Sequence, residues 1–273
     1  MKQIKVLDHG YVRLVETWGK GDVCQREAAI IEAARMSTAK GFNGWSCWKC
    51  LICGIELEET QYHTSSAGIM CQNGRDDTAW ERIPRDEKLL SFLYNNKHMT
   101  PFEMAGMTIE ISAPIFVFRE WHRHRTQSYN EMSARYIALP NEEYMPQAGE
   151  VVRRSAKAAL EANRQAAGSG KVLTIDEVLA DLELMERHQR LTEELYQRLL
   201  ARGWPRELAR IRLSVARYSR MRASGNLRNW LAFLTLRMAP NAQWEIRQYA
   251  EAVGTLVCDE FPRTWKLFFH DEE

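Results

Sequence analysis

The sequence predicts an α+β, or mixed α/β, fold: a small sheet with much helix, interrupted by a cysteine-containing insertion. Three observations lead there. Apolar and polar residues alternate around Ile4 and Val6 and again at Met107, Ile109 and Ile111, the period of a strand. Much of the second half repeats apolar residues every three or four positions, the period of a helix. From about residue 40 to 82 the periodicity lapses and four cysteines cluster.

Ile4 and Val6 open a first strand, His9-Gly10 supplies a turn, and residues 11–16 run back as its partner. A helix is expected over about 23–36, with Ala28, Ile31 and Ala34 near one face. Residues 41–82 read as an inserted lobe or long loop. Long structureless loops are uncommon in compact domains, so the cysteines are read as its staple. Helical spacing resumes over 86–96 through Leu89, Leu90 and Leu93. Met107, Ile109 and Ile111 then mark a half-buried strand. Ser112 is placed to cap a helix with Pro114 in its first turn. That helix carries Ile115 to Trp121 and runs into Arg123-His124-Arg125. A variable stretch follows over 146–171. Thr174 and Glu177 form a capping-box pattern before a helix through Val178, Leu182, Leu191 and Leu199, ending at Gly203. Pro205 starts another. Leu227, Trp230, Leu231 and Leu234 mark the next, and Asn241 is placed to cap a last long helix through Tyr249 and Val253.

Composition excludes several classes of function. Lys and Arg number 37 against 36 Asp and Glu, a formal net charge of +1, too balanced for a protein that coats a polyanion. No apolar run approaches the roughly 20 residues needed to span a bilayer, and the N-terminus has no apolar signal core. Neither a membrane nor a nucleic-acid partner is expected, and the cytoplasm is the expected compartment. A Gly-rich dinucleotide fingerprint and a phosphate-loop lysine motif are both missing, so a Rossmann-type oxidoreductase is not supported.

The most informative segment is 119–136, with four arginines, two histidines and no lysine. Guanidinium groups suit phosphate and carboxylate oxygens through paired donors. Ser133, Arg135 and nearby amides make a compact phosphate cradle, and Glu131 can orient an arginine or accept from a ribose hydroxyl or a base. Mixed charge is also what a solvated surface looks like. Nucleic-acid contact would call for aromatic platforms with lysines, so a small phosphorylated ligand fits better.

The same segment resembles the signature of flavin-dependent thymidylate synthases: Arg123-His124-Arg125, seven residues, then Ser133. Asn130-Glu131-Met132-Ser133-Ala134-Arg135-Tyr136 and Lys97-His98-Met99-Thr100-Pro101-Phe102-Glu103 are similar to the family as well. So are Arg210, Asn226-Leu227-Arg228, the run ending in Arg237, and Ala242-Gln243-Trp244-Glu245-Ile246. The likeness covers most of 1–40 and 85–260.

The resemblance implies one domain over 1–273 on a central twisted, largely antiparallel sheet surrounded by helices, with 41–82 inserted. It implies conversion of dUMP to dTMP, with methylenetetrahydrofolate as one-carbon donor and NADPH as reductant through FAD. A homotetramer with shared active sites is implied too. The dUMP site would use Glu120, Arg123, Glu131, Met132, Ser133, Ala134, Arg135, Arg210 and Arg237. FAD contacts would come from Thr100, Glu103, Arg123, His124, Arg125, Glu131, Asn226 and Arg228. Arg237 is the catalytic candidate, stabilising charge that builds on the pyrimidine; taken alone it reads as a helix C-terminal arginine answering the dipole. His98 is an accessory candidate. Ser133 lacks a neighbouring base, so phosphate binding is its expected role rather than nucleophilic attack. Glu120, Ala232 and Asn241 stand where the family often has Gln, Asn and His. The same scaffold also accommodates 5-hydroxymethylation of dUMP, and a non-catalytic nucleotide- or nucleic-acid-binding protein is the alternative of another class.

The cysteine lobe lies outside that resemblance. Cys47, Cys50, Cys53 and Cys71, with His63 as an alternative ligand, fit structural zinc. Free thiols and an iron–sulfur cluster fit the same spacing.

Overall fold

The computed structural model describes residues 2–51, 56–58, 80–160 and 171–270. A five-stranded antiparallel sheet runs in the order β1-β2-β6-β8-β7. The predicted hairpin opens it: β1 (Gln3–Val6) pairs antiparallel with β2 (Gly10–Trp18), from Gln3 opposite Arg13 to Val6 opposite Gly10. Helix α1 (Ala28–Ala34) starts later than the periodicity indicates. Asp22 is the reason: its carbonyl and side-chain oxygens both accept from the Gln25 amide at 3.1 Å, a local turn that competes with helix.

The described part of the insertion includes regular structure. It contains β3 (Cys47–Cys50), β4 (Glu56–Glu58) and β5 (Trp80–Ile83), joined in the order β4-β3-β5. Strands of three or four residues are too short to display a period. Helix α2 (Asp86–Asn95) matches expectation. Its end is set by Lys97, which takes a left-handed φ of 58° while the His98 amide returns to the Leu93 carbonyl at 2.8 Å, a Schellman-like stop.

Strand β6 (Gly106–Pro114) is buried on both faces apart from Glu110, not half-buried. Burial on both faces requires a covering layer on each side of the sheet. Ser112 stays in the strand and caps nothing. Its carbonyl accepts from the Tyr249 hydroxyl at 2.8 Å, and helix α3 (Ile115–Trp121) begins without a side-chain cap. The Ile115 and Phe116 amides instead donate to the Arg217 and Val215 carbonyls, each at 3.0 Å. Strand β7 (Ser128–Glu131) forms the sheet edge, and helix α4 (Ala148–Leu160) occupies part of the stretch expected to be variable.

Helix α5 (Ile175–Ala201) carries the predicted capping box between Thr174 and Glu177. Helix α6 (Arg206–Ala209) runs directly into a 3-10 turn at Arg210–Arg212. Strand β8 (Tyr218–Asn226) then leads into α7 (Leu227–Arg237), where Asn226 is the N-cap. The expected helix through Tyr249 and Val253 is α8 (Trp244–Glu260), which starts three residues after Asn241, and a further helix, α9 (Pro262–His270), follows. Pro262 cannot continue a helix through its interior but fits the first turn of a new one.

The chain separates into two compact units, one of Met1–Arg13, Ile109–Ala223 and Gln243–Tyr249, the other of Leu14–Thr108, Ser224–Ala242 and Ala250–Glu273. The first has a core that includes Val12, Ile111, Phe118, Trp121, Tyr218 and Tyr249. Within it Arg217 is fully buried. Its guanidinium donates to Asn141 Oδ1 at 3.0 Å and Glu193 Oε2 at 2.6 Å, with Glu143 at 3.6 Å. The second has a core that includes Ile31, Phe102, Trp230, Phe233, Leu256 and Phe261.

Candidate active site

The predicted site residues divide between the two units, and each group has its own scaffold. In the first unit, α3 buries Val117, Phe118 and Trp121 and leaves Arg119 at its exposed end. The helix spans the expected Ile115–Trp121 and stops there. Arg123, His124 and Arg125 therefore lie in a turn, not on a helix. Both arginines are exposed, and among the described residues no carboxylate is paired with either. Glu120 sits one turn earlier and is half-buried.

β7 brings the chain back to Glu131, which is exposed. The Met132 amide donates to the Arg220 carbonyl at 2.7 Å. Ser133 opens a helical turn: its carbonyl accepts from Tyr136 at 3.0 Å and Ile137 at 3.2 Å, and its hydroxyl oxygen accepts from the Arg135 amide at 3.3 Å. Ala134 is buried beneath that turn. Arg135 reaches out instead, its Nε 3.4 Å from Glu207. Glu207 precedes Arg210 by three residues in the α6 run, and residues so spaced lie on one face. Arg135 and Arg210 thus come to one neighbourhood. Glu207 was not expected from sequence, although a carboxylate one turn before an arginine is a readable signal.

In the second unit, the 3-10 turn Thr100–Met104 packs against α7. The Leu227 amide donates to the Ala105 carbonyl at 2.7 Å and fixes the start of that helix. This brings Thr100, Glu103, Asn226 and Arg228 together, and Arg228 donates directly to Glu103. Asn226 Oδ1 accepts from the Asn229 amide at 3.0 Å, so any donation to a ligand falls to its Nδ2. Arg237 ends α7, about 14 Å along the axis from Arg228 by helix rise. His98 is exposed, its ring 5.8 Å from that of Phe92.

Only part of the cysteine lobe is described. Cys47 and Cys50 are both buried, and residues three apart in a strand point to opposite faces. Burial pushes the Cys47 thiol up, away from the thiolate a metal takes. Cys53, Cys71 and His63 lie outside the described residues. Among the described residues no group of three His, Cys, Asp or Glu side chains is arranged to hold a metal.

A family model described as thymidylate synthase complementing protein matches residues 21–263. The chain belongs to that family. Members of known name include the flavin-dependent thymidylate synthase of Thermus thermophilus, 36% identical over 265 residues that cover 97% of this chain and 77% of the relative. The enzyme of the same name from Anaplasma marginale is 31% identical over 269 residues, covering 98% and 73%. Among solved structures, the UMP/dUMP methylase PolB of Streptomyces cacaoi, bound with 5-Br dUMP, is similar with a TM-score of 0.68 and 27% identity over 98% of this chain and 97% of that one. As a member of the thymidylate synthase complementing family, this chain places the Arg-His-Arg and Ser133 signature in one unit and the Asn226-Leu227-Arg228 motif in the other.

Proposed function

We propose that the protein is a flavin-dependent thymidylate synthase that methylates dUMP to dTMP, with methylenetetrahydrofolate as one-carbon donor and NADPH as reductant. The observation that carries this reading is the turn after α3, which presents Arg123 and Arg125 to solvent without an acidic partner among the described residues. Two uncompensated guanidiniums fit the pyrophosphate of FAD, which when bound supplies the redox chemistry that side chains lack. Thr100, Glu103, His124, Asn226 and Arg228 would hold the remainder of that group.

The nucleotide falls to Ser133, Arg135 and Arg210, whose donors match a dianionic phosphate, with Glu131 positioned toward its sugar or base. Arg237 acts on the pyrimidine. C5 is nucleophilic when the ring carries negative charge shared with N3 and its carbonyl oxygens, and a guanidinium held in place beforehand stabilises that charge. No helix among the described residues is long and apolar enough to cross a membrane.

We further infer a homotetramer. Helix α5 buries Val178 and Tyr196 on one face. On another it exposes Leu184, Leu191 and Leu195, which are 60%, 59% and 39% accessible. These lie at i, i+7 and i+11, the repeat of a helix–helix seam, and a second copy is the partner that repeat suits. The zinc reading of Cys47, Cys50, Cys53 and Cys71 rests on spacing alone, and elemental analysis of purified protein decides it.

The test is the visible spectrum of the protein before and after adding FAD and then dUMP, followed by the mass of the nucleotide product. Flavin bands that move on adding dUMP, and a product of dTMP mass, support the reading. A product heavier by one oxygen means hydroxymethylation. No flavin uptake overturns it in favour of a nucleotide-binding protein.

A further inference from the structure

The turn that presents Arg123, His124 and Arg125 has one ordinary backbone bond, from the His124 amide to the Trp121 carbonyl at 3.0 Å, and three long ones. The Arg123 amide reaches the Glu120 carbonyl at 3.4 Å, Arg125 reaches Arg123 at 3.2 Å, and Gln127 reaches His124 at 3.3 Å. These are at or beyond the long end of the normal N–H···O range. Two like charges two residues apart also repel, and among the described residues no carboxylate is paired with them. A side chain that adds to this hold spares binding part of the cost of ordering the turn on contact.

Tyr129, on β7, is such a side chain. Its hydroxyl lies 2.6 Å from the His124 carbonyl, 3.2 Å from the Trp121 carbonyl and 3.3 Å from Gln127 Oε1. One proton serves three acceptors, and the His124 carbonyl, in the middle of the triad, takes it at the shortest distance. Trp121 is the last residue of α3, so the hydroxyl sits between the end of the helix and the crest of the turn. Gln127 completes the arrangement by accepting from Trp121 Nε1 at 3.0 Å in the buried interior. The ring is held independently of its hydroxyl. It stands edge-on to His122 at 5.0 Å, and His122 Nε2 contacts Met221 Sδ on β8 at 3.2 Å. Burial raises the phenol to about 12, so it stays a donor at all working pH values.

We propose that Tyr129 is a positioning residue: its hydroxyl pins the His124 carbonyl and so preorganises Arg123 and Arg125 for the anion they receive. That FAD and dUMP supply the anion rests on the function proposed above, whereas the clasp itself does not. The sequence around Tyr129 does not reveal this role, because the hydroxyl acts on main-chain carbonyls.

Tyr129→Phe tests the proposal, since it keeps the ring and removes only the hydroxyl. Trypsin cleaves after arginine, so native-state digestion followed by mass spectrometry reads the order of the turn without any ligand. Cleavage after Arg123 and Arg125 is expected to be about tenfold faster in the variant, the other tryptic sites being unchanged. With ligands, the FAD Kd and the KM for dUMP are expected to rise about tenfold, while kcat at saturation changes less than about twofold. Unchanged cleavage at the two arginines, or an increase spread evenly over all sites, would overturn the clasp. Faster local cleavage with FAD and dUMP affinities within about twofold of the parent would overturn its role in binding. A parent protein that fails to take up FAD would sink the proposed function instead, and the digestion would still decide the clasp.

Discussion

Arg135 and Glu207 form an exposed ion pair, with Nε 3.4 Å from the carboxylate and both side chains more than half accessible. Arg135 is one of the residues proposed to take the nucleotide phosphate, so Glu207 competes with the substrate for it. Exposed pairs of this kind contribute at most about 1 kcal/mol, small enough for a dianion to displace.

Replacing the carboxylate with its amide isolates that competition. Glu207→Gln is expected to tighten dUMP binding roughly threefold, the range an exposed pair commands, with little change in melting temperature. Calorimetric titration at low and moderate salt measures it. Binding weaker than in the parent would mean that Glu207 orients Arg135 rather than occupying it.

Much of this arrangement was legible in the sequence. The opening hairpin, the capping box at Thr174 and the apolar spacing of α7 each follow from one local rule, and the structure contains all three. Tertiary context decided the rest. β8 carries Arg220 and Arg222 outward and Met221 and Ala223 inward, yet Ser, Gly, Ala and Arg have little strand preference of their own. The sheet around it supplies what its composition lacks. Ser112 looked like a cap because of its distance from Pro114, but β6 continues through it and takes its carbonyl for Tyr249. The signature residues are readable in the sequence as candidates for holding an anion. Glu207 and Tyr129 were not singled out, because each acts through a neighbour distant in sequence or through a main-chain carbonyl.

The exposed leucines of α5 predict a specific effect on assembly. Leu184→Glu with Leu191→Glu places two charges on the outward seam and leaves Val178 and Tyr196 in the helix's buried face. Sedimentation is expected to find a smaller species than in the parent, with helix content retained. An unchanged mass would remove α5 from the interface.

Gly10 marks a close approach rather than a turn alone. A Cβ there would stand 2.0 Å from the Tyr249 hydroxyl, 2.7 Å from the Val6 carbonyl and 2.8 Å from the Ser112 carbonyl. Two of those atoms are backbone and cannot swing aside. Gly10→Ala is expected to cost about 3 kcal/mol in urea unfolding, the range for overpacking a filled core. It also forces apart the Tyr249–Ser112 hydrogen bond. A loss below about 1 kcal/mol would mean that β1 and β2 shift more easily than their register implies.

The buried cluster around Arg217 makes a prediction about pH. Glu193 holds the guanidinium at 2.6 Å, while Glu143 stands farther off at 3.6 Å. Burial pushes the Glu143 carboxyl above its ordinary range; Arg217 works against this and Glu193 adds to it. A carboxyl raised in the folded state binds its proton more tightly there than in the unfolded chain. Its stabilising contribution is therefore complete below the ordinary carboxylate pKa and is lost as pH rises through the raised value. Glu143→Gln keeps the shape and cannot ionise. The variant is expected to match the parent near pH 4 and to be more stable than it near pH 8. Urea unfolding across that range measures the difference. A gap of the opposite sign at high pH would mean that the charge pairing with Arg217 outweighs the cost of burying Glu143.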